Sequence, residues 1–375
     1  MPQGLGVRVP PRPPTAADVM RPPPIDSASR VGHHAVMNDA RAAETCLLNR
    51  MEHARQLIGM LHVPVTNLLA APGAWLERLG LPRLTAKDAA RMADIEREHA
   101  ANPVHAAPHP ATRELSFLGF LEERILAEAD AYARHGFIAM QLENVGAPYA
   151  VGNRIGAVEI AVMDHLAGVL RKHLPRASLG LQMLSAGGEQ ALRIALRRQL
   201  DYIRVEGVLF EGVRPEGPLP NAGALHALHA LRRREHLRAG GRDADGPRIF
   251  VDLLKKHTAF PPETQSLDLW LQNIVFMKLE GVIITGSETG RAVDEAVLAA
   301  ADGAVRKVRE QCGVFVPLLT GSGVTPDNIA RYARYAHGVI AGSYVKKDGY
   351  WENPLDEQRV ERLAGAAAQA GFAMG

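Results

Sequence analysis

Cysteine is almost absent: the 375-residue chain has two, Cys46 and Cys312. Neither has a CxxC neighbour, which argues against a zinc site or a disulfide framework and makes a reducing compartment the expected setting. Long hydrophobic runs are lacking too, since no stretch reaches the ~18 consecutive apolar residues that a membrane helix needs. Nor is there an excess of one charge: 43 basic and 41 acidic residues leave a formal net charge of +2. That balance argues against nucleic acid as a partner, which calls for a clustered basic surface. Arg197-Arg198 and Arg232-Arg233-Arg234 lie in helical patterns and read as solvated faces. Prolines stand in residues 1–20 where a secretory signal would be apolar. Pro10-Pro11, Pro13-Pro14 and Pro22-Pro23-Pro24 also oppose the amphipathic presequence that Arg8, Arg12, Arg21 and Arg30 would otherwise suit. Residues 1–45 are expected to be a disordered Pro-rich tail. The expected location is cytoplasmic, with a mitochondrion or plastid as the alternative if the tail is a presequence.

What is present is the composition of a soluble globular chain, 47% hydrophobic and 22% charged. Residues 58–63 form a short apolar run bounded by Pro64 and read as a buried strand. Residues 65–114 show no second strand and read as an insertion; within it, 85–101 looks like a polar helix capped by Thr85, and 103–110 a loop. Beyond 115 the rhythm is regular. Strands are expected at 137–142, 179–184, 202–205, 249–253, 282–285, 314–319 and 338–341. Helices are expected at 117–134, 157–174, 189–199, 222–237, 267–279, 294–311, 326–335 and 357–370. Eight apolar strands alternating with helices predict an α/β chain whose residues 46–375 form one (β/α)8 TIM barrel. The open doubly wound sheet is the alternative, weakened because no GxGxxG follows the first strand.

In such a barrel the reactive groups sit where the strands end. Those ends offer His62, Glu143-Asn144, Gln182, Ser185, Arg204 with Glu206, and Asp252 with Lys255, Lys256 and His257. Arg204 and Glu206 are two apart and share a side of their strand. The candidate catalytic set is His62, Glu143, Arg204, Glu206, Asp252 and His257, because carboxylates and imidazoles are the usual proton carriers. Arg204 would pair with an anionic group of the ligand. A lysine at 255 or 256, if buried, would be able to form a Schiff base. Glu143, Asp252 and Glu206 would be the carboxylates for a divalent metal, although no compact ligand motif accompanies them and no cofactor is assigned.

The last two strand ends are more specific. Gly286, Thr320-Gly321-Ser322-Gly323 and Gly342-Ser343 would let backbone approach an anion closely. A helix starting at Pro326, capped by Thr325, would aim N–H groups at it. A phosphorylated small molecule, such as a sugar phosphate or nucleotide, is the expected ligand, and a homo-oligomer the expected assembly. The alternative is a non-catalytic assembly factor, peripherally docked on a membrane complex through the tail and the insertion.

Several segments carry a resemblance to a known family. They are Ile58-Gly59-Met60-Leu61-His62, Glu143-Asn144, Tyr202-Ile203-Arg204-Val205, Ile249-Phe250-Val251-Asp252 with Lys256-His257, and Ile284-Thr285-Gly286 with Thr289-Gly290. The longest are 320–328 (TGSGVTPDN), 338–343 (GVIAGS) and Lys346-Lys347-Asp348-Gly349. Together they resemble the BtpA family of TIM barrels over roughly residues 57–368, outside the insertion. The resemblance implies a barrel of the ribulose-phosphate-binding type, and it connects cyanobacterial members with photosystem I accumulation. This chain departs from the family at Gln182-Met183 and at Glu206, where asparagines are usual.

Overall fold

The computed structural model describes residues 47–71, 73–101, 109–146, 149–150, 154–215, 217–219, 224–238, 246–255, 257–286 and 290–375. The expected tail, Cys46, Lys256, Glu288 and Thr289 lie outside these residues. In chain order the strands are β1 (Arg55–Val63), β2 (Ala139–Asn144), β3 (Ser178–Gln182), β4 (Tyr202–Val205), a hairpin of β5 (Gly212–Arg214) and β6 (Gly217–Leu219), β7 (Arg248–Leu253), β8 (Gly281–Thr285), β9 (Leu318–Gly321), β10 (Gly338–Ala341) and β11 (Phe372–Ala373). The helices are α1 (Leu47–His53), α2 (Val65–Ala70), α3 (Gly73–Arg78), α4 (Ala86–Ala101), α5 (Leu118–Arg134), α6 (Ala157–His173), α7 (Gly188–Arg198), α8 (Ala224–Arg238), α9 (Leu267–Phe276), α10 (Glu295–Cys312), α11 (Ile329–Tyr332) and α12 (Glu357–Gln369).

Eight strands run parallel in the order β1-β2-β3-β4-β7-β8-β9-β10. β10 then pairs with β1 from Gln56↔Gly338 to Gly59↔Ala341, which closes the ring and excludes the open-sheet alternative. Strand residues alternate between two faces, and the alternation builds both the interior and the site. Ile58 and Met60, Ala139, Tyr202, Phe250, Ile283, Leu319 and Ile340 form one inner apolar cluster, which Leu47 and Met51 of α1 join. The residues between them pack outward against the helices in a second, larger core. Further along the same inward rows come His62, Glu143, Gln182, Arg204, Asp252, Thr285, Gly321 and Gly342. The lower interior is therefore apolar and the carboxyl end polar. Gly180 is fixed by this packing: a Cβ there would fall 2.1 Å from Cζ of the Tyr202 ring.

The insertion holds the expected helix, α4, with Thr85 as its cap. Asp88 N donates to Thr85 Oγ1, and Thr85 Oγ1 donates to Asp88 Oδ2 at 2.6 Å. Ser116 N and Oγ also donate to the same carboxylate at 2.7 Å, pinning α4 to the start of the regular barrel. Burial opposes charge on Asp88, but these hydrogen bonds outweigh it and hold its pKa down to about 2. Several elements depart from expectation, with α1, α2, α3 and β11 unforeseen and three others altered. The strand expected at 314–319 begins at Leu318, because Pro317 has no N–H to give a ladder. The hairpin β5-β6 interrupts the loop after β4, where short Gly- and Pro-rich strands left little periodic signal. The helix expected at 326–335 shrinks to α11, a single turn.

Candidate functional site

A cavity of about 510 Å³ opens at the carboxyl ends of the strands. Its lining brings together expected site residues His62, Glu143, Arg204, Glu206, His257, Gly321, Ser322, Gly342 and Ser343. Asp252, Gly286, Thr320 and Gly323 do not line it. Thr320 lies between Leu319 and Gly321, on the outward row. A Cβ at Gly286 would lie 2.0 Å from Arg291 O. Gly323 has φ +60°, and its Cβ would lie 2.3 Å from Ala292 N, so it is a turn residue packed under another loop.

One wall is a chain of paired charges. Arg204 Nε donates to Asp252 Oδ1 at 3.0 Å, and Nη2 stands 2.9 Å from the same oxygen. Arg204 Nη1 is 4.0 Å from Glu143 Oε2. Burial works against charge on this guanidinium, but Asp252, Glu143 and Glu206 more than offset it, so its pKa is raised. Arg204 is thus engaged by Asp252 inside the protein, while it also lines the cavity. Glu206 stands 3.3 Å from Lys255 Nζ and 3.5 Å from Arg214 Nη1. It also accepts from Gln182 Nε2 and Ala186 N, each at 3.2 Å. Among the described residues no group of three or more His, Cys, Asp or Glu is placed to hold a metal ion. Asp252 and Glu206, two of the three carboxylates considered for a divalent metal, instead face cations.

The opposite wall is small and neutral. Gly290 N donates to Ser322 Oγ at 3.0 Å, and a Cβ at Gly290 would stand 3.7 Å from Ser343 Oγ. Ser322 has φ +72°, a conformation that costs a non-glycine residue free energy. His257, at φ +58°, and Leu254, at φ +44°, repeat this after β7, and Ala186, at φ +57°, after β3. Positive φ thus gathers at the strand ends around the cavity. The helix expected to aim N–H groups here does not form that way. Asn328 Oδ1 accepts from Thr325 N, and Asn328 Nδ2 donates to Gly323 O, both at 2.8 Å, which ties the residues before the short helix α11 to the turn at Gly323.

Sequence reasoning missed Tyr149, Pro215 and Trp351 in the lining. Each comes from a loop, and only the Trp351 loop carried a signal, following the Lys346–Gly349 run. The His62 and Trp351 rings meet edge to face, 6.2 Å apart at 80°. Tyr149 keeps its proton: burial, then the negative field of Glu143, raises its pKa above the usual phenol range. The Trp351 loop is tied down by Lys346, fully buried, 2.5 Å from Glu128 Oε2 on α5. Asn67 Nδ2 donates to Glu352 Oε1 at 2.9 Å, and Arg124 Nη2 to Glu352 O at 3.1 Å.

Behind Glu143, Asn144 donates to Glu159 Oε1 at 2.6 Å, and Thr66 Oγ1 donates to it at 2.5 Å. Burial raises the Glu159 pKa, and those hydrogen bonds oppose the rise. A carboxyl whose folded pKa lies above its unfolded one holds its proton more tightly when folded. Its contribution to stability is therefore full below the ordinary carboxyl range and falls as pH climbs through the folded pKa. Glu159→Gln is expected to remove that decline and to be the more stable form at neutral pH. Urea unfolding of both forms between about pH 4 and pH 7 checks this, and parallel pH profiles would contradict it.

These features define a closed (β/α)8 barrel with a polar cavity at the carboxyl ends of its strands. The chain belongs to the BtpA family, which matches residues 98–369. The match begins inside the insertion, so β1 with His62 lies upstream of it. Among its relatives is the uncharacterized protein F13E9.13, mitochondrial, of Caenorhabditis elegans. It is 32% identical over 267 residues, covering 69% of this chain and 88% of the relative. The photosystem I biogenesis protein BtpA of Synechocystis sp. is 29% identical over 269 residues, 71% of this chain and 86% of the relative. Among solved structures, thiamine phosphate pyrophosphorylase from Pyrococcus furiosus is similar at 13% identity and a TM-score of 0.40, over 65% of this chain and 90% of that one. Phosphoribosyl anthranilate isomerase from Thermus thermophilus is similar at 14% identity and a TM-score of 0.40, over 65% and 94%. Among the described residues no helix is long and apolar enough to cross a membrane.

Proposed function

We propose that the chain binds a phosphorylated small metabolite at the carboxyl end of the barrel and transforms it by general acid–base chemistry. The observation that carries this reading is the two-walled cavity: Gly290, Gly321-Ser322 and Gly342-Ser343 face a wall bearing Glu143, Arg204, Glu206 and Lys255. On the first wall the phosphate would take hydrogen bonds from serine hydroxyls and close backbone. On the second, Glu143 and His62 or His257 would move protons, with the protonated Tyr149 as a donor. Asp252 would act through Arg204, as a positioning residue. The insertion contributes to the frame around the cavity through Thr66 and Asn67, which favours the ligand reading over a free docking arm.

A thermal-stability screen with sugar phosphates, nucleoside monophosphates and their unphosphorylated counterparts tests the proposal. Phosphorylated compounds are expected to raise Tm and their counterparts to leave it unchanged. Ser343→Asp sets a carboxylate against the phosphate and is expected to weaken binding about 100-fold, or about 2.7 kcal/mol. Indifference to every phosphorylated compound would sink the reading and favour an assembly role like that in the cyanobacterial relative's name.

A further inference from the structure

Among the described residues, Lys255 is the lysine that lines the cavity, and its side chain is only 9% exposed. It follows β7, directly after Leu254, whose φ is +44°. Its partner is Glu206 Oε1 at 3.3 Å. That carboxylate does not depend on Lys255 for its satisfaction. Gln182 Nε2, Ala186 N and the Arg214 guanidinium already surround its two oxygens. A lysine placed only to neutralise Glu206 would be redundant. A lysine that shares its counterion with a permanent cation can give up its proton and leave the carboxylate compensated.

We propose that Lys255 is an amine nucleophile that condenses with a carbonyl group of the phosphorylated ligand, an open-chain aldose or ketose phosphate or a related phosphorylated aldehyde. The inference rests on the phosphate reading above for the way the ligand is anchored. The Lys255 ammonium first gives one proton to Glu206. Its Nζ lone pair attacks the carbonyl carbon, the C–N bond forms, and the C–O π pair moves onto oxygen. A proton passes from nitrogen to that oxygen, giving a carbinolamine. Glu206 returns its proton to the hydroxyl, water leaves, and the nitrogen lone pair closes the C=N bond. Ammonium and carbonyl thus become a protonated imine and water, with no oxidant or reductant consumed.

The test is reductive trapping on the full chain with pyridoxal 5′-phosphate, a probe that joins an aldehyde to a phosphate. After borohydride reduction and proteolysis, the adduct is expected at Lys255, with fragment ions separating it from Lys256. Exposed lysines such as Lys307 serve as the background, and Lys255→Met is expected to lose the adduct. Inorganic phosphate and omission of the probe's phosphate should both suppress labelling. Labelling at Lys255 that ignores both would leave the nucleophile standing and overturn the phosphate anchor. Labelling spread over surface lysines or confined to Lys256, while the probe still raises Tm and phosphate still competes, would overturn the Lys255 proposal and leave the anchor intact. The wild-type map decides this even if Lys255→Met fails to fold.

Discussion

Asparagine in place of Asp252 is expected to destabilise the barrel by about 3–5 kcal/mol, because it leaves the buried Arg204 guanidinium without its counter-charge. Three contacts to one carboxylate hold that guanidinium, at 2.9, 3.0 and 3.2 Å, while Glu143 stands at 4.0 Å and cannot replace them. Burying the pair is itself of little net benefit, since the desolvation of both ions offsets their attraction. Removing both members is therefore expected to restore most of what removing one loses. Arg204→Met with Asp252→Leu should approach the parent in urea unfolding, and the double-mutant cycle should show strong coupling. Additive losses would mean that the two residues act separately. Any turnover should also vanish in Asp252→Asn, since Arg204 lines the cavity and Asp252 orients it.

Lys346→Met is expected to lose a similar amount, about 3–5 kcal/mol, for the same physical reason at a different place. Lys346 is fully buried, and its ammonium lies 2.5 Å from Glu128 Oε2, with Arg124 Nε 3.5 Å from the other oxygen. Burial pushes the Lys346 pKa down, and Glu128 pulls against it. The pair joins α5 to the loop that follows β10, and Lys346 N donates to Ser343 O at 3.1 Å. That loop carries Ser343 at one end and Trp351 further on, so the loss should reach the cavity. Calorimetric unfolding should show the stability change, and Trp351 emission should shift as its ring leaves His62. Pairing Lys346→Met with Glu128→Gln is expected to recover part of the stability. A Lys346→Met form with parent stability would show that the strap is dispensable.

The barrel was legible because its strands are short, apolar and evenly spaced, and because helix and strand periods differ. The inward rows were legible for a related reason. One step of two residues leads from Tyr202 to Arg204 and from Phe250 to Asp252, so core and site share one pattern. What the pattern could not say was whether a polar group faces the cavity or a partner behind it. Asp252 differs from Glu143 in this respect only through the position of Arg204, a contact 48 residues away in sequence. Thr320 and Gly323 carry the right chemistry in the right segment, yet the outward row and a packed turn remove them from the lining. Tyr149 was invisible, and Trp351 was marked only by the run before it, because loops are placed by tertiary contacts, such as Lys346 with Glu128, that leave no periodic trace. The helix expected after Pro326 shortens to Ile329–Tyr332, and the Asn328 side chain ties the residues before it to Thr325 N and Gly323 O.

A phosphate group is expected to sit between the loops after β9 and β10. A crystal structure with ribose 5-phosphate bound tests it directly. The predicted result is a phosphate in hydrogen-bond contact with Ser322 and Ser343, and a sugar extending toward Glu143 and Lys255. A sugar phosphate seated the other way, with its phosphate against Arg204 and Lys255, or bound outside the cavity, would contradict it.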